Sequence, residues 1–580
     1  MKKTLRKSGQ KFIRKFSRVS LKVGEEGKEH LKRNFFGKLR NFADIRLLIL
    51  EWGLLVLALI MLASTQAFWF GESYAGDAFV GGGTYIEGTV GKVSSLNPLF
   101  ATTNSEKVLS RLMFETLTTV DYSGNIGMGL AKSIAPSEKG KVWTLELKEG
   151  LKWSDGEELS VDDVMFTIGL IKNSAVNSVY TATLAGVKAE KNEEGKIIFT
   201  LPAAYADFPS TLNIPIVPKH ELEKTDPRTL IEDDFSNAPI TSGAFSFNAI
   251  QSASKEERVF YLTPNPNYRK RGVMVTNFAV HTYNTVDDVI QALNTNEITA
   301  TAEISGKKAD GLKIGQFYRK NSSINSGVFI FFNTSSGVFK NRNLRLAVRQ
   351  GIDLEKLREK APETSELDYP ILRTSLELSN YPEISVQDFD SAKAMVQENY
   401  DNTPIRVATI NSGYFSEVAE ELNGQLQALG FKTDFSVSEE AQEFITNIVS
   451  RRNYDILVYE IELGADPDPL AYYHSSQVAS SDGLSAGLNL ANYRNALVDD
   501  LLIGARETLD ASLRIAKYEK FLKYLAEDVP TIGLYQTNLT YFYNKNTRAF
   551  GDNVRLVTAL DRFSDISNYA VMKELKNKTP

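Results

Sequence analysis

The 580-residue chain contains no cysteine. Disulfides and a lipid-modified cysteine anchor are therefore both excluded, and any folded part outside the cell must be held together by packing alone. Histidine is nearly as scarce: beyond residue 70 only His220, His281 and His474 occur, far apart in the chain. With no HExxH pair, no cysteine cluster and no P-loop, the usual residues for metal-centred or nucleotide-driven chemistry are missing. Acidic pairs such as Asp162/Asp163 and Asp499/Asp500 fall on helical patterns and read as solvated faces or caps. The chain is not expected to be an enzyme, and neither a cofactor nor a metal site is expected.

Charge is spread unevenly. Residues 1–46 carry fifteen Lys or Arg against four acids. Removing that net +11, and Glu51, from the overall −6 leaves −16 for residues 71–580. So acidic a body argues against nucleic acid as its partner. Residues 47–70 are 24 mostly apolar positions with one charge, Glu51. At ~1.5 Å per residue this stretch can cross a ~30 Å hydrocarbon layer. The positive-inside rule then places residues 1–46 in the cytoplasm and the chain after Phe70 outside, with Trp69 and Phe70 at the outer interface. A single-pass plasma-membrane protein with an extracellular or periplasmic body is the expectation. A cleaved signal peptide competes with it, since Ala63 and Ala67 could flank a cleavage site. In the basic segment, Phe12, Phe16, Val19 and Val23 share one helical face, and Leu31, Phe35, Leu39 and Phe42 repeat the pattern. This describes either two helices lying on anionic lipid or a topology signal with some amphipathicity.

After a tether, 71–83, closing on three glycines, the remaining chain is too long for one ordinary domain and has apolar content for large cores; at least two lobes are expected. The clearest local order lies between 405 and 473. Ile405–Ile410 alternates as a strand, and Phe415, Val418, Ala419, Leu422, Leu426 and Leu429 recur at helical spacing until Gly430. Phe431–Val437 alternates again, Glu440–Ser450 follows a helical pattern, and Tyr454–Ile461 reads as a strand covered on both faces. Strand, helix, strand, helix, strand with short connections predicts a parallel sheet with right-handed crossovers. The last strand runs into GADPDP, 464–469. Pro467 and Pro469 push Asp466 and Asp468 towards extended geometry just beyond a strand's carboxyl end, where open α/β sheets bind ligands.

Several other motifs occur in order along the chain. Leu96-Asn97-Pro98 forms a turn before a helix around Val108–Leu117. Lys152 to Gly156, then Asp162 to Val164, reads as a tight turn into a helix, with Ser160 and Asp163 resembling a capping box. NPNYRKRG (265–272), FNTSSGVFKNRNLRLAVRQGID (332–353), GADPDP and AEDVPTIGLY (526–535) follow. Together these resemble the extracellular solute-binding protein family 5, the peptide- and nickel-binding components of ABC importers, over roughly residues 84–545. The chain departs from the family pattern at Pro239-Ile-Thr-Ser-Gly-Ala-Phe245, where a glycine and a proline are missing, and its acidic loop is shorter.

The resemblance implies an α/β, two-lobed, class II periplasmic-binding-protein-like fold with a hinge, preceded here by the single transmembrane helix. Lobe I would take residues 84–283, with a small subdomain at about 98–204. Lobe II would take 284–532, and 533–580 would return to lobe I, with hinge strands crossing near 283 and 533. Ligand partners would be a peptide, and protein partners an ABC permease with its ATPase subunits. In the oligopeptide- and dipeptide-binding relatives a loop aspartate pairs with the peptide's α-amino group, which makes Asp466 the candidate here and Asp468 the alternative. Asp466 could instead cap the next helix or brace the loop with Asp468. Tyr85 and Glu87, near the end of the first strand, are placed on the opposite side of the ligand by resemblance of position alone, with a purely structural role as the commoner alternative for such residues. Trp143 and Trp153 read as packing residues. A nickel chelate or another small solute, or a membrane-tethered sensor or scaffold that retains the fold, are the alternative functions.

Overall fold

The computed structural model describes residues 52–62 and 82–572, apart from 253–256, 271, 314, 336, 374, 377, 384–385 and 481–486. The chain divides into two units, Met1–Ala78 and Phe79–Pro580. In the first, residues 52–62 form a helix with Trp52, Leu54, Leu57 and Leu62 among its exposed side chains. Among the described residues no helix is long and apolar enough to cross a membrane. The basic segment 1–46, the rest of the expected span 47–70, nearly all of the tether and residues 573–580 lie outside the described residues.

The second unit is built on one eleven-stranded sheet. Numbered in chain order, its strands are β1 (Thr84–Val90), β2 (Phe245–Ser252), β3 (Arg258–Pro264), β4 (Asn277–Tyr283), β5 (Ala300–Thr301), β6 (Phe317–Phe332), β7 (Ser365–Glu366), β8 (Ile405–Ile410), β9 (Thr433–Ser438), β10 (Ile456–Glu462) and β11 (Thr531–Asn544). The order across the sheet is β9-β8-β10-β6-β11-β5-β1-β4-β3-β2, with β7 pairing β11 off this path. Strand β8 runs parallel to both β9 and β10, as the alternating strand and helix pattern predicts. Between β8 and β9, the helix Phe415–Leu429 buries Val418, Ala419, Leu422, Leu426 and Leu429. Each leucine so buried is worth roughly 1.5–3 kcal/mol. Gly430 ends the helix at φ +109°, a left-handed geometry that costs glycine little. The second helical pattern, Glu440–Ser450, folds differently, as a short α turn at Ala441–Glu443 and a π turn at Phe444–Val449. The wider turn brings Phe444 and Val449, five apart, onto one buried face.

Two large cores flank the sheet. One draws on Tyr85, Val108, Leu145, Ile168, Phe245 and Tyr541, the other on Phe331, Val407, Leu422, Ile456, Leu522 and Leu534. A four-stranded sheet spanning Ala131–Thr200 belongs with the first, as does helix α1 (Val161–Lys172), started by the Ser160/Asp163 capping box. Trp143 and Trp153 are buried in this core.

The antiparallel pair β6 and β11 is the passage between cores. Val328–Phe332 and Ile532–Tyr535 lie in one, Leu539 and Tyr541 in the other. Its register slips between Ser323 and Gly327 and again between Val328 and Phe329, so the pair is bulged and bent where it crosses. The first crossing strand is therefore Phe317–Phe332 and not one near 283. Residues beyond 283 stay with the first half because Val289, Leu293 and Ile298 pack with Ile86, Val90 and Phe542 on the other face of β1. Gly533 admits no side chain: a Cβ there would stand 2.5 Å from the carbonyl oxygens of both Leu367 and Asp368, which press β7 onto the crossing strand.

Candidate functional site

Strand β10 ends in a loop fixed to the bulged part of β6. Leu463 N–H donates to the Asn325 carbonyl at 2.8 Å, and Asn325 Nδ2 donates back to the Gly464 carbonyl at 2.7 Å. Two helices supply the loop's other partners, α2 (Ala496–Arg506) and α3 (Ala511–Asp528). Asp466 accepts from both terminal nitrogens of Arg514, at 2.6 and 2.8 Å. Asp468 accepts from Nε and Nη2 of Arg506 at 2.8 and 2.7 Å, and its Oδ1 receives the Leu470 N–H at 3.3 Å. The Tyr518 hydroxyl donates to the Pro467 carbonyl at 2.7 Å. Both carboxylates brace the loop and reach the site with a guanidinium already bound, and the short helix Leu470–Tyr473 that follows has Pro469 at its N-cap and no side-chain cap.

Across from the loop stands Tyr205–Ser210, which belongs to the first core. Ala206 N–H donates to the Arg506 carbonyl at 2.8 Å, and the Arg506 guanidinium lies 5.0 Å from the Tyr205 ring centre, within cation–π range. Between the two sides is a cavity of about 360 Å³. Tyr205, Asp207 and Thr558 line it from one core; Glu462, Asp466 and Tyr472 line it from the other. Asp207 is only 7% exposed, and Ser210 Oγ donates to its Oδ2. Burial first, and the nearby Asp466 charge second, push its pKa up to about 8.

A second cavity, about 180 Å³, is lined by Asn321, Tyr414, Glu460, Tyr535 and Asn538. The Tyr535 hydroxyl is buried there with no hydrogen-bond partner among the described residues. Strand β10 itself is paired unequally. Its length from Ile456 to Glu462 pairs with β6, whereas β8 accompanies it only at Ile456 and Leu457. From Tyr459 onward, one backbone edge has no partner strand among the described residues.

Tyr85 and Glu87 do not face this site. Both are fully buried, because alternation along β1 turns Tyr85, Glu87 and Thr89 into the first core. Glu87 accepts from Arg562 at 2.6 and 3.1 Å and from the Tyr541 hydroxyl at 2.7 Å, while the hydroxyls of Tyr85 and Tyr541 lie 3.0 Å apart. They form a structural ion-pair cluster. Conversely, Tyr205, Asp207, Arg506 and Arg514 belong to the site although no motif in the sequence marks them. Ala206-Asp207-Phe208-Pro209 reads only as a helix start.

The family model for the middle region of bacterial extracellular solute-binding proteins, family 5, matches residues 125–483. The oligopeptide-binding protein AppA of Bacillus subtilis (strain 168) is 26% identical over 488 residues, 79% of this chain and 87% of its own. Among solved structures, AppA from Bacillus subtilis in complex with a nonapeptide superposes with a TM-score of 0.66 at 22% identity, covering 85% of this chain and 100% of that one. NikZ from Campylobacter jejuni in complex with Ni(L-His) gives 0.68 at 21% identity, over 84% of this chain and 99% of that one. The fold is thus the two-lobed α/β periplasmic-binding-protein fold, with β6 and β11 as the strands joining the lobes. By that match, which spans more than half its length, the chain belongs to the bacterial extracellular solute-binding proteins of family 5, and is a solute-binding component and not an enzyme.

Proposed function

We propose that the body captures peptides in the cavity between its lobes and delivers them to the permease and ATPase subunits of an ABC importer. The observation that carries this reading is the joint one: a cavity walled by both lobes, at the carboxyl end of a strand with an open backbone edge. An extended peptide added to that edge gains hydrogen bonds common to all sequences, leaving selectivity to side-chain pockets. Asp466, at the wall and paired with Arg514, offers a carboxylate oxygen as hydrogen-bond acceptor beside a free amine. The names of the AppA relatives, one of them solved with a nonapeptide, support a peptide ligand. Ligand-driven closure about β6 and β11 is the conformational step, with the closed form docking productively. A second reading, a nickel chelate or another small solute, rests on the likeness to NikZ, and metal retained by the purified protein is its expected sign.

The same proposal places the body outside a plasma membrane, anchored by residues 47–70, on the strength of that apolar run behind a basic segment. Both parts are checked on the full chain. It should stay with membranes through alkaline extraction and, in detergent, bind short free-amine peptides in calorimetry. Release by alkali contradicts the anchor; absence of binding contradicts the peptide.

A further inference from the structure

The acidic loop carries carboxylates whose charge is already met. Asp466 is bidentate with Arg514, and Asp468 is held by Arg506. Of the remaining carboxylates on the cavity wall, Asp561 accepts from the N–H and hydroxyl of Thr558 as the cap of its own helix, and Glu462 is exposed. Asp207 differs from all of these. It is more than nine-tenths buried, lines the cavity, and accepts only the Ser210 hydroxyl on Oδ2. No donor among the described residues reaches its Oδ1, and no guanidinium or ammonium pairs with it. It also sits one residue from Ala206, whose N–H bonds the Arg506 carbonyl of the opposite lobe.

We propose that Asp207 is the residue that selects for a cation in the ligand: a primary ammonium docks on its Oδ1 from the cavity, beside Asp466 of the other lobe. This rests on the reading that the cavity binds peptides, and it names a selecting residue on the lobe opposite the acidic loop. The ammonium is then shared between lobes. A ligand that carries it favours the arrangement in which Tyr205–Asp207 lies against Arg506, so recognition and closure are one event.

The proposal has a proton signature. The groups facing Asp207 are Asp466 and Asp468 from the loop, Arg514 from α3, and Tyr205 and Ser210 from its own segment, with Arg506 of α2 stacked on Tyr205. Held at about 8, the free carboxyl is mostly protonated at neutral pH, and an arriving ammonium favours its ionised form. Binding therefore expels a proton. Affinity rises with pH, by about tenfold per unit while Asp207 is mainly protonated, until the ligand's own α-amine deprotonates near ~8.

The test is calorimetry of the full chain between pH 6 and 7.5, in buffers of different ionisation enthalpy. The probes are short mixed-sequence peptides with a free amine, the same peptides N-acetylated, and acetylated peptides carrying one lysine. Wild-type protein should release about one proton per free-amine peptide and prefer it at least tenfold over the acetylated form. Asp207→Asn should abolish both the proton release and the preference. If lysine restores binding to acetylated peptides, and Asp207→Asn removes that gain, the ammonium is read wherever the ligand carries it; if lysine does not, the site reads the amino terminus. Wild-type binding without proton exchange overturns the proposal whatever the variant does. An Asp207→Asn protein that keeps the free-amine preference overturns it while leaving peptide capture intact. Failure of every peptide to bind the wild type sinks peptide capture and this proposal together.

Discussion

Arg562→Met is expected to lower the stability of the body by about 3–5 kcal/mol, the cost of leaving one buried charge without its partner. The side chains of Arg562 and Glu87 are 3% and 0% exposed, so water cannot replace the lost guanidinium. Among the described residues only the Tyr541 hydroxyl would remain to hold Glu87. The effect should be large because the pair joins three distant pieces of chain: β1, the crossing strand β11, and the C-terminal return that carries Arg562. A chemical-denaturation midpoint on the full chain measures it. Replacing both partners, Glu87→Leu with Arg562→Met, should recover most of the loss, because a buried pair exchanged for apolar residues of similar size is close to neutral. The Tyr541 hydroxyl keeps Tyr85 as its neighbour in that variant. Equal losses in the single and double variants would mean that packing, and not charge, secures the C-terminal return.

The second large effect concerns the ligand. Asp466→Ala should weaken the binding of free-amine peptides by about 2–5 kcal/mol. Two contributions are expected: one carboxylate beside the ammonium is lost, and Arg514, bidentate with Asp466, is left as an uncompensated cation facing it. Adding Arg514→Leu separates them. Recovery in the double variant assigns the loss to the freed guanidinium; persistence assigns it to Asp466 itself. N-acetylated peptides, which bring no ammonium to this wall, should show little change with either variant. Unchanged affinity for free-amine peptides in Asp466→Ala would rule out the role.

The parts of this fold that were legible in the sequence are those fixed by neighbours along the chain. Apolar spacing from Phe415 to Leu429, the stop at Gly430 and the alternation of Ile405–Ile410 are local signals, and the structure follows them. So is the position of the acidic loop, since the prolines bar helix and β10 must end before it. The Ser160/Asp163 capping box is equally local. What the sequence could not show depends on residues brought together from far away. Tyr85 and Glu87 look like polar residues near a strand end, open to a ligand, until Arg562, 475 residues beyond Glu87, turns them into core. Asp466 and Asp468 look like free carboxylates until Arg514 and Arg506 arrive from helices 48 and 38 residues further on. Asp207 carries no motif at all. Its chemistry comes from being buried at a cavity that forms only when the two lobes meet, a property of the assembled fold.

The same distinction explains the hinge. A strand ending at Tyr283 is a reasonable place to change lobes if each lobe is read as one continuous segment. The chain instead makes another excursion on the far side of β1, and crosses where β6 pairs with β11 on both sides of a bulged stretch. Two bulges there allow a bend without loss of the ladder on either side. The loop that carries Asp466 is bonded to Asn325 within that bulged stretch, so the site is tied directly to the crossing strands.

Native mass spectrometry of the full chain purified from cells, followed by denaturation and identification of whatever is released, tests peptide capture most directly. Short peptides of mixed sequence with free amino termini are expected. Release of one non-peptide solute or a metal complex would contradict peptide capture.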